Sequence, residues 1–460
     1  MEKGYLTLAL LIVQILIFAA TLLSQKWDKK SIHYFILFLL SGILVTHIVA
    51  FNTDSEDIYI SLRYVKNFVE GKGLVFNTFD KVEGYSDFLW VMLIAGIHKV
   101  LNSDIPLTAR YLSVVFSVIT LLYTYTLTVK LTQNKLISYL IMFLVSVNGS
   151  FACYGLAGLE NPLFALFILL TINYTIQKKW GIIGLLIGLM TMTRPEGFIM
   201  YFPVAFYILI QQNPLKEKMK NWFFIGIIAV ITVLPWTIWR VSYYGYFIPN
   251  TIAAKTGMDV FCQLKIGIIY SSYFLFIISE FILILILLPI INFIYTKQKI
   301  KAVLEDKLLI LLISTAITFI LFYSYAGGDW MPCWRFYASF IPTFAIVLAV
   351  LWNNYVFKNE NTSILKSVWI VIIFVFCGYV QVRNSFMNAN MIPLVKEWYS
   401  SVQGLKEIGK WFHRTLPENT LLATFPNGAF SYYNELPTID YGGLTEADSD
   451  IRKRQEGRDI

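Results

Sequence analysis

Glu56 and Asp57 stand side by side in NTDSEDIYISLRYVKNFVEGKGLVFNTFDKVEGYSD, residues 52–87, followed closely by Tyr59, Arg63, Tyr64 and Lys66. A carboxylate can take the proton of a hydroxyl as a general base. Arginine holds a phosphate through two parallel N–H bonds, and lysine holds it as a point charge. The first segment adds Glu83 and Tyr85, and the same residue types recur in other short polar segments. These are Glu160 in GLAGLENP, Arg194 and Glu196 in TRPEG, Asn250 and Lys255 in YYGYFIPNTIAAK, and Asp329, Trp330 and Arg335 in GGDWMPCWRFY. A base, cations for a phosphate and aromatic faces for sugar rings are the three requirements of glycosyl transfer from a lipid phosphate.

Each residue also has a plainer reading. A loop carboxylate is usually just solvated, and Arg194 beside Glu196 can be a surface ion pair. Pro195, Pro249 and Pro332 end helices whatever the chemistry, and Gly327–Gly328 supplies a permissive turn. Tyr243, Tyr244, Tyr246, Trp330 and Trp334 suit an aromatic belt at a membrane interface. Only the combination of these groups at one place argues for a site.

The elements that must position them are hydrophobic. The chain has 460 residues, 57% apolar and 14% charged, with a mean hydropathy of +0.62. Apolar runs of roughly 18–22 residues recur, the length a helix needs to cross a hydrocarbon core of about 30 Å. Backbone groups in lipid must be satisfied internally, so these runs read as helices. Met1–Ser24 has Lys3 offset by Glu2 and no A-x-A cleavage site, and it reads as a retained span. The net charge of +8 sits in short loops between runs, so no nucleic-acid partner is expected. Cys153, Cys262, Cys333 and Cys377 have no C-x-x-C spacing and the four histidines are scattered, which argues against a structural metal or a disulfide scaffold.

Lysine-bearing loops at 26–30, 130–135, 178–179, 216–220, 297–307 and 358–366 mark the cytoplasmic side. The intervening loops, including 52–87, 154–160, 193–197, 240–265 and 327–335, then face outward together with everything after about residue 383. Parity requires one apolar stretch between 87 and 178 not to cross. Phe88–Leu101 is short and carries His98 and Lys99, so it reads as interfacial or re-entrant. The expectation is about 12 transmembrane helices with both termini outside. Ionisable residues at membrane depth are costly and mark sites or pathways, and here they converge on one face.

Residues 1–383 thus form the membrane domain, with the acidic motif in its loop 52–87, and residues 384–460 change character. Lys396–Arg414 reads as an amphipathic helix, and Thr420–Phe425 and Thr438–Tyr441 as short strands separated by a Pro-Asn-Gly turn. This small extracytoplasmic α/β module buries too little apolar surface to stand alone. Either it leans on the membrane part or its domain continues further.

EDIYISLRYVKNFVEGKGLVFN followed by VEGYSDFLW resembles the first-loop signature of GT-C glycosyltransferases of the terminal β-(1→2)-arabinofuranosyltransferase type. The likeness continues through GLENPLFAL, TRPEGF, YYGYFIPNTIAAK, GGDWMPCWRF and LPTIDYGGLT. The resemblance implies an all-α polytopic GT-C bundle in a bacterial plasma membrane, using a polyprenyl-phosphate sugar donor on the non-cytoplasmic face. The family's acidic pair falls on Glu56 and Asp57. The first of these is an aspartate in the family, so Asp57 is preferred as the base. The default sugar is an arabinofuranose-like pentose, and the acceptor a cell-envelope glycan or glycolipid.

The sequence reading is an inverting displacement with Asp57 or Glu56 as base. Arg194, Lys255 and Arg335 hold the departing lipid phosphate, and Glu160 and Asp329 orient sugar hydroxyls or those cations. Arg63, Lys66, Glu83, Tyr85, Glu196, Asn250 and Trp330 complete the candidate substrate-binding set. No nucleotide motif is present. The residues specify no particular cofactor, and a divalent cation, magnesium, manganese or calcium, held by Glu56, Asp57 and the phosphate would suit oxygen ligands. The rivals are a lipid-linked sugar flippase, a ligase of whole glycans, and a non-enzymatic scaffold. A flippase would favour charges deep within repeated, broken helices, whereas here the charges gather in loops.

Overall fold

The computed structural model describes residues 2–24, 26, 28–245, 247, 250, 259–277, 306–354, 364–388 and 391–445. The first part runs α1 (Glu2–Leu23), α2 (Lys30–Phe51), α3 (Ile58–Val69), α4 (Phe88–Leu101), α5 (Ile105–Thr132), α6 (Lys135–Ser146), α7 (Gly149–Tyr154) and α8 (Asn161–Ile176). Then follow α9 (Trp180–Thr193), a 3-10 turn (Pro195–Met200), α10 (Tyr201–Leu209), α11 (Leu215–Tyr244), α12 (Val260–Ile277), α13 (Lys307–Tyr325), α14 (Arg335–Ala338), α15 (Ile341–Trp352) and α16 (Ile364–Arg383). The tail consists of α17 (Met391–Thr415), β1 (Leu422–Thr424), α18 (Ala429–Asn434) and β2 (Thr438–Asp440).

Among the described residues six helical stretches are long and apolar enough to cross a membrane, and shorter apolar helices such as α6, α8, α9 and α15 pack among them. The outer surface matches that role. Along α11, Phe223, Ile227, Val230, Ile231, Leu234 and Ile238 are all exposed, a stripe that water would not tolerate and lipid would. Helix α6, by contrast, is buried along nearly its whole length. At 12 residues it is about 18 Å long, too short to span the core alone. Helices α9 and α11 approach closely because Gly184 and Gly188 leave no room for side chains against Ile225, Ile228 and Thr232, a small-residue stripe of the kind that brings membrane helices together.

The two ends of the bundle differ in chemistry. At one end Lys135 pairs with Asp28 at 2.9 Å, Lys130 bonds Asn173 at 2.7 Å, and His33 bonds Tyr139 at 2.6 Å. Three of the lysine-bearing loops therefore meet there. The opposite end gathers residues 52–87, 154–160, 193–197, 327–335 and the tail. Helix α4 begins at Asp87 in that end and stops at Asn102, and α5 starts three residues later, capped by Asp104 on Leu107 N–H at 2.9 Å. Two turns into α5, Arg110 reaches back to Asn52 Oδ1 at 3.0 Å. Both ends of α4 thus lie on one side, as the re-entrant reading of Phe88–Leu101 requires.

The tail departs in detail from the sequence reading. Its strands are parallel, with Leu422 opposite Thr438 and Thr424 opposite Asp440. Parallel strands need a crossover, and α18 supplies it where the sequence suggests only a turn. The module leans on loop 52–87 through buried polar bonds. Arg63, inside α3, donates to the carbonyls of Phe76, Ser431 and Leu436 at 2.9, 2.7 and 2.8 Å and to Asn77 Oδ1 at 3.3 Å. Asn77 in turn bonds the Thr438 backbone in both directions, at 2.8 and 3.1 Å.

Candidate active site

Four separate segments meet around two buried arginines. Arg335, at the start of α14, donates through Nη1 to Asp57 Oδ2 at 2.9 Å and through Nη2 to Asp329 Oδ1 at 3.2 Å. Its Nε also lies 2.5 Å from Asp329 Oδ2, without hydrogen-bond alignment. Arg194, where α9 ends, donates to Glu160 Oε1 at 2.7 Å and to Glu196 Oε1 at 2.6 Å. The two halves are joined by Asn161, whose Nδ2 donates to the Arg335 carbonyl at 3.0 Å and to Ser339 Oγ at 3.2 Å. The Phe336 ring lies 5.3 Å from the Arg194 guanidinium and 5.6 Å from that of Arg335, distances at which a cation gains from the ring face. Burial opposes both guanidinium charges. The neighbouring carboxylates outweigh it, Glu196 and Glu160 for Arg194 and Asp329 and Asp57 for Arg335, and hold both arginines well above their ordinary pKa.

Local sequence places these groups. Pro162 lies in the first turn of α8, which Glu160 precedes, and Pro195 starts the 3-10 turn just after Arg194, fixing where each polar residue meets its helix. Cys333 and Trp334 both adopt left-handed backbone (φ 59° and 51°), which turns the chain so that Arg335 enters the cluster. Tyr154 steadies that turn by donating to the Pro332 carbonyl at 2.5 Å.

The carboxylates differ in access. The Asp57 side chain is 24% exposed, against 3% for Asp329 and 9% for Glu160 and Glu196. Asp57 is therefore the open acid of the cluster, oriented by Arg335. Asp87 is buried beside the cluster and accepts from Ser61 Oγ at 2.9 Å. Burial, and then the Glu160 charge, raise its pKa.

Other sequence candidates are engaged elsewhere. Glu56, adjacent to Asp57, turns the opposite way, and its Oε1 accepts the backbone N–H groups of Gly428 and of Ala429, the latter at 3.1 Å. Burial, with Asp57 nearby, pushes the Glu56 carboxyl up to about 8. Arg63 is spent on tail carbonyls, and Lys66 pairs with Glu435 at 2.5 Å. Glu83 pairs with Arg240 at 3.2 Å, burial raising its pKa to about 7 against the pull of that arginine. Tyr85 is buried beside Tyr244, whose hydroxyl donates to it at 3.3 Å. Asn250 donates to the Gly443 and Leu444 carbonyls at 2.8 and 2.9 Å. Trp330 is exposed, its ring 4.9 Å from that of Trp398 on α17. Lys255 lies outside the described residues. Among the described residues no group of three or more His, Cys, Asp and Glu converges as a metal site. The proposed cation pair does not fit either, because Glu56 faces amides and Asp57 faces Arg335.

Some residues at this end escape a reading of the sequence. Arg110 bonds only oxygens of Asn52, Thr53 and Leu156 and pairs with no carboxylate among the described residues. It stands on α5 beside the exposed Leu107 and Tyr111. Its position next to a lipid-facing stripe is the signal that could have found it. Asp54 and Lys406 carry no such signal, because each is defined by a partner from the other end of the chain, and Trp398 is defined by Trp330 from a separate loop.

ArnT from Cupriavidus metallidurans, solved bound to undecaprenyl phosphate, superposes with a TM-score of 0.55 at 9% identity, over 91% of this chain and 89% of that one. Its apo structure gives 0.58 at 10% identity, over 91% and 88%. The fold is that of the GT-C glycosyltransferases. Within this GT-C fold, residues 88–239 match the family model described as dolichyl-phosphate-mannose-protein mannosyltransferase, and residues 395–459 match a domain of unknown function. No curated protein sequence matches.

Proposed function

We propose that this chain is an integral membrane glycosyltransferase that moves one sugar from a polyprenyl-phosphate donor to a cell-envelope glycan or glycolipid, at the extracytoplasmic face of a bacterial plasma membrane. The observation that carries the reading is the junction of Asp57 and Arg335, 278 residues apart, at the end of a lipid-facing bundle. There an open carboxylate is aimed by a buried arginine, within a fold whose solved representatives include one bound to a lipid phosphate. Asp57 takes the acceptor hydroxyl proton as the oxygen attacks the anomeric carbon. The bond from that carbon to the phosphate oxygen breaks, its electron pair leaves with the lipid phosphate, and the configuration inverts. Arg194 and Arg335 are already neutralised by carboxylates, so they frame the site. Arg110, free of acid partners among the described residues, is the better candidate for the phosphate. Trp330 and Trp398 offer an apolar platform for a sugar ring at the mouth. An arabinofuranose-like pentose is the first sugar to try.

The test is to incubate the purified protein with defined polyprenyl-phosphate sugars and candidate acceptors, with mass analysis of lipid and glycan products. A glycan heavier by one sugar, formed by the wild type and not by Asp57→Asn, supports the reading. Movement of donor across vesicles without covalent transfer supports a flippase and sinks it.

A further inference from the structure

The loop carrying Asp57 is gripped from the tail side, and we propose that this grip sets the position of Asp57 for proton transfer, with Glu56 and Lys406 as positioning residues and neither as the base. The proposal rests on the transferase reading above.

Three neighbouring acidic residues point in two directions. Asp54 accepts from Tyr59 Oη at 3.0 Å, from Gln403 Nε2 at 3.0 Å and from Lys406 Nζ. Its side chain is 1% exposed and that of Lys406 10%, and the ammonium also lies 4.9 Å from the Tyr59 ring. A buried ion pair of this kind is strongly destabilising to break from one side, because the other charge is stranded. Two residues on, Glu56 Oε1 receives the amides of Gly428 and Ala429 at the start of α18. Gly428 sits so close that an added Cβ would run into the Glu56 backbone oxygen and carboxylate. Asp57 alone turns away from the tail, toward Arg335. The backbone on its N-terminal side is thereby fixed by α17 and α18, while its carboxylate is held by the 329–335 loop.

The chemistry of Glu56 agrees with this role. A neutral carboxyl accepts two N–H bonds through its carbonyl oxygen as a glutamine amide does, and burial raises this carboxyl to about 8. Glu56 Oε1 is turned to the amides of Gly428 and Ala429, whereas the Asp57 carboxylate is the one that faces Arg335. Its charged and titratable neighbours are Asp57 on its own loop and Asp440 from β2.

The experiment uses the full chain in nanodiscs, comparing wild type with Glu56→Gln, Glu56→Ala, Lys406→Arg, Lys406→Met and Asp57→Asn. Turnover of donor is followed together with hydrogen exchange across residues 426–434. Glu56→Ala is expected to speed exchange there and to lower kcat on the order of 100-fold, with the donor KM little changed, since a misplacement of about 1 Å carries that cost. Glu56→Gln restores slow exchange and most of kcat, and Lys406→Arg restores more than Lys406→Met. If Glu56→Gln is as inactive as Asp57→Asn while exchange stays slow, Glu56 is itself the proton acceptor and the proposal is overturned. Faster exchange in Glu56→Ala with full kcat also overturns it, because the grip then has no bearing on the chemistry. Full turnover by Asp57→Asn overturns Asp57 as the base and the positioning proposal with it, absence of covalent transfer by the wild type overturns the transferase reading, and unchanged exchange in Glu56→Ala overturns the grip alone.

Discussion

Replacing Arg335 by methionine removes one guanidinium from between two acids. The change severs its bond to Asp57 Oδ2 at 2.9 Å and its pairing with Asp329 at 3.2 and 2.5 Å. The two acids do not share the cost equally. Asp57, 24% exposed, keeps part of its hydration, so its share is that of a surface pair, about 0–1 kcal/mol. Asp329, at 3%, has no such recourse, and stranding one member of a buried pair costs about 3–5 kcal/mol. The expected loss for Arg335→Met is therefore about 3–5 kcal/mol, nearly all of it from Asp329. Adding Asp329→Asn removes the stranded charge and should recover most of that loss, whereas adding Asp57→Asn should recover little. The measurement is the unfolding midpoint in mixed micelles on titration with denaturing detergent, followed by helical circular dichroism, for Arg335→Met alone and with each second change. A single variant within about 1 kcal/mol of wild type, the range of a surface pair, or equal recovery by the two second-site changes, would refute the account of burial offered here.

Arg335→Lys keeps a charge but cannot fork to two carboxylates, so it should lose more turnover than stability when both are assayed on one preparation. Arg110→Gln should raise the donor KM and leave kcat within about threefold, as expected when ground and transition states lose binding equally, which steady-state kinetics over a donor series will show. Lys66→Ala removes a partly exposed pair with Glu435 and should shift stability by no more than about 1 kcal/mol in the same detergent titration. Stability should also depend on pH. Glu56 is raised to about 8 from an ordinary 4.5, and Glu83 to about 7, so between those values the folded chain holds protons the unfolded chain has released. Their stabilising contribution is complete below about pH 4.5 and fades as pH rises toward 8. Glu56→Gln should flatten part of that decline in melting curves across the range.

The gathering of the loops at one end is legible because lysine placement and apolar run length record which side each loop occupies. The parity argument that singles out Phe88–Leu101 works for the same reason, and the structure returns both ends of that helix to one side. The direction of a side chain is not legible. Glu56 and Asp57 are neighbours in sequence and share a chemistry, yet one meets amides of α18 and the other Arg335. Arg63 reads as a substrate ligand because its partners are backbone carbonyls of Phe76, Ser431 and Leu436, and a carbonyl leaves no mark in a sequence. Lys406 reads as part of the polar face of an amphipathic helix, because the acid it pairs with, Asp54, lies 352 residues earlier. The crossover α18 escapes notice because six residues are too few to display a helical period.

Helix α18 has a consequence for biogenesis. Glu56 and the Gly428 amide that it holds are 372 residues apart, so the loop that carries Asp57 emerges from the ribosome long before its anchor exists. While helix after helix enters the bilayer, that loop lacks its contacts with α17 and α18, and on the proposed reading Asp57 is not yet placed to take a proton from an acceptor. On the same reading, competence waits for the tail, through the strand ending at Asp440, to fold back over the first loop.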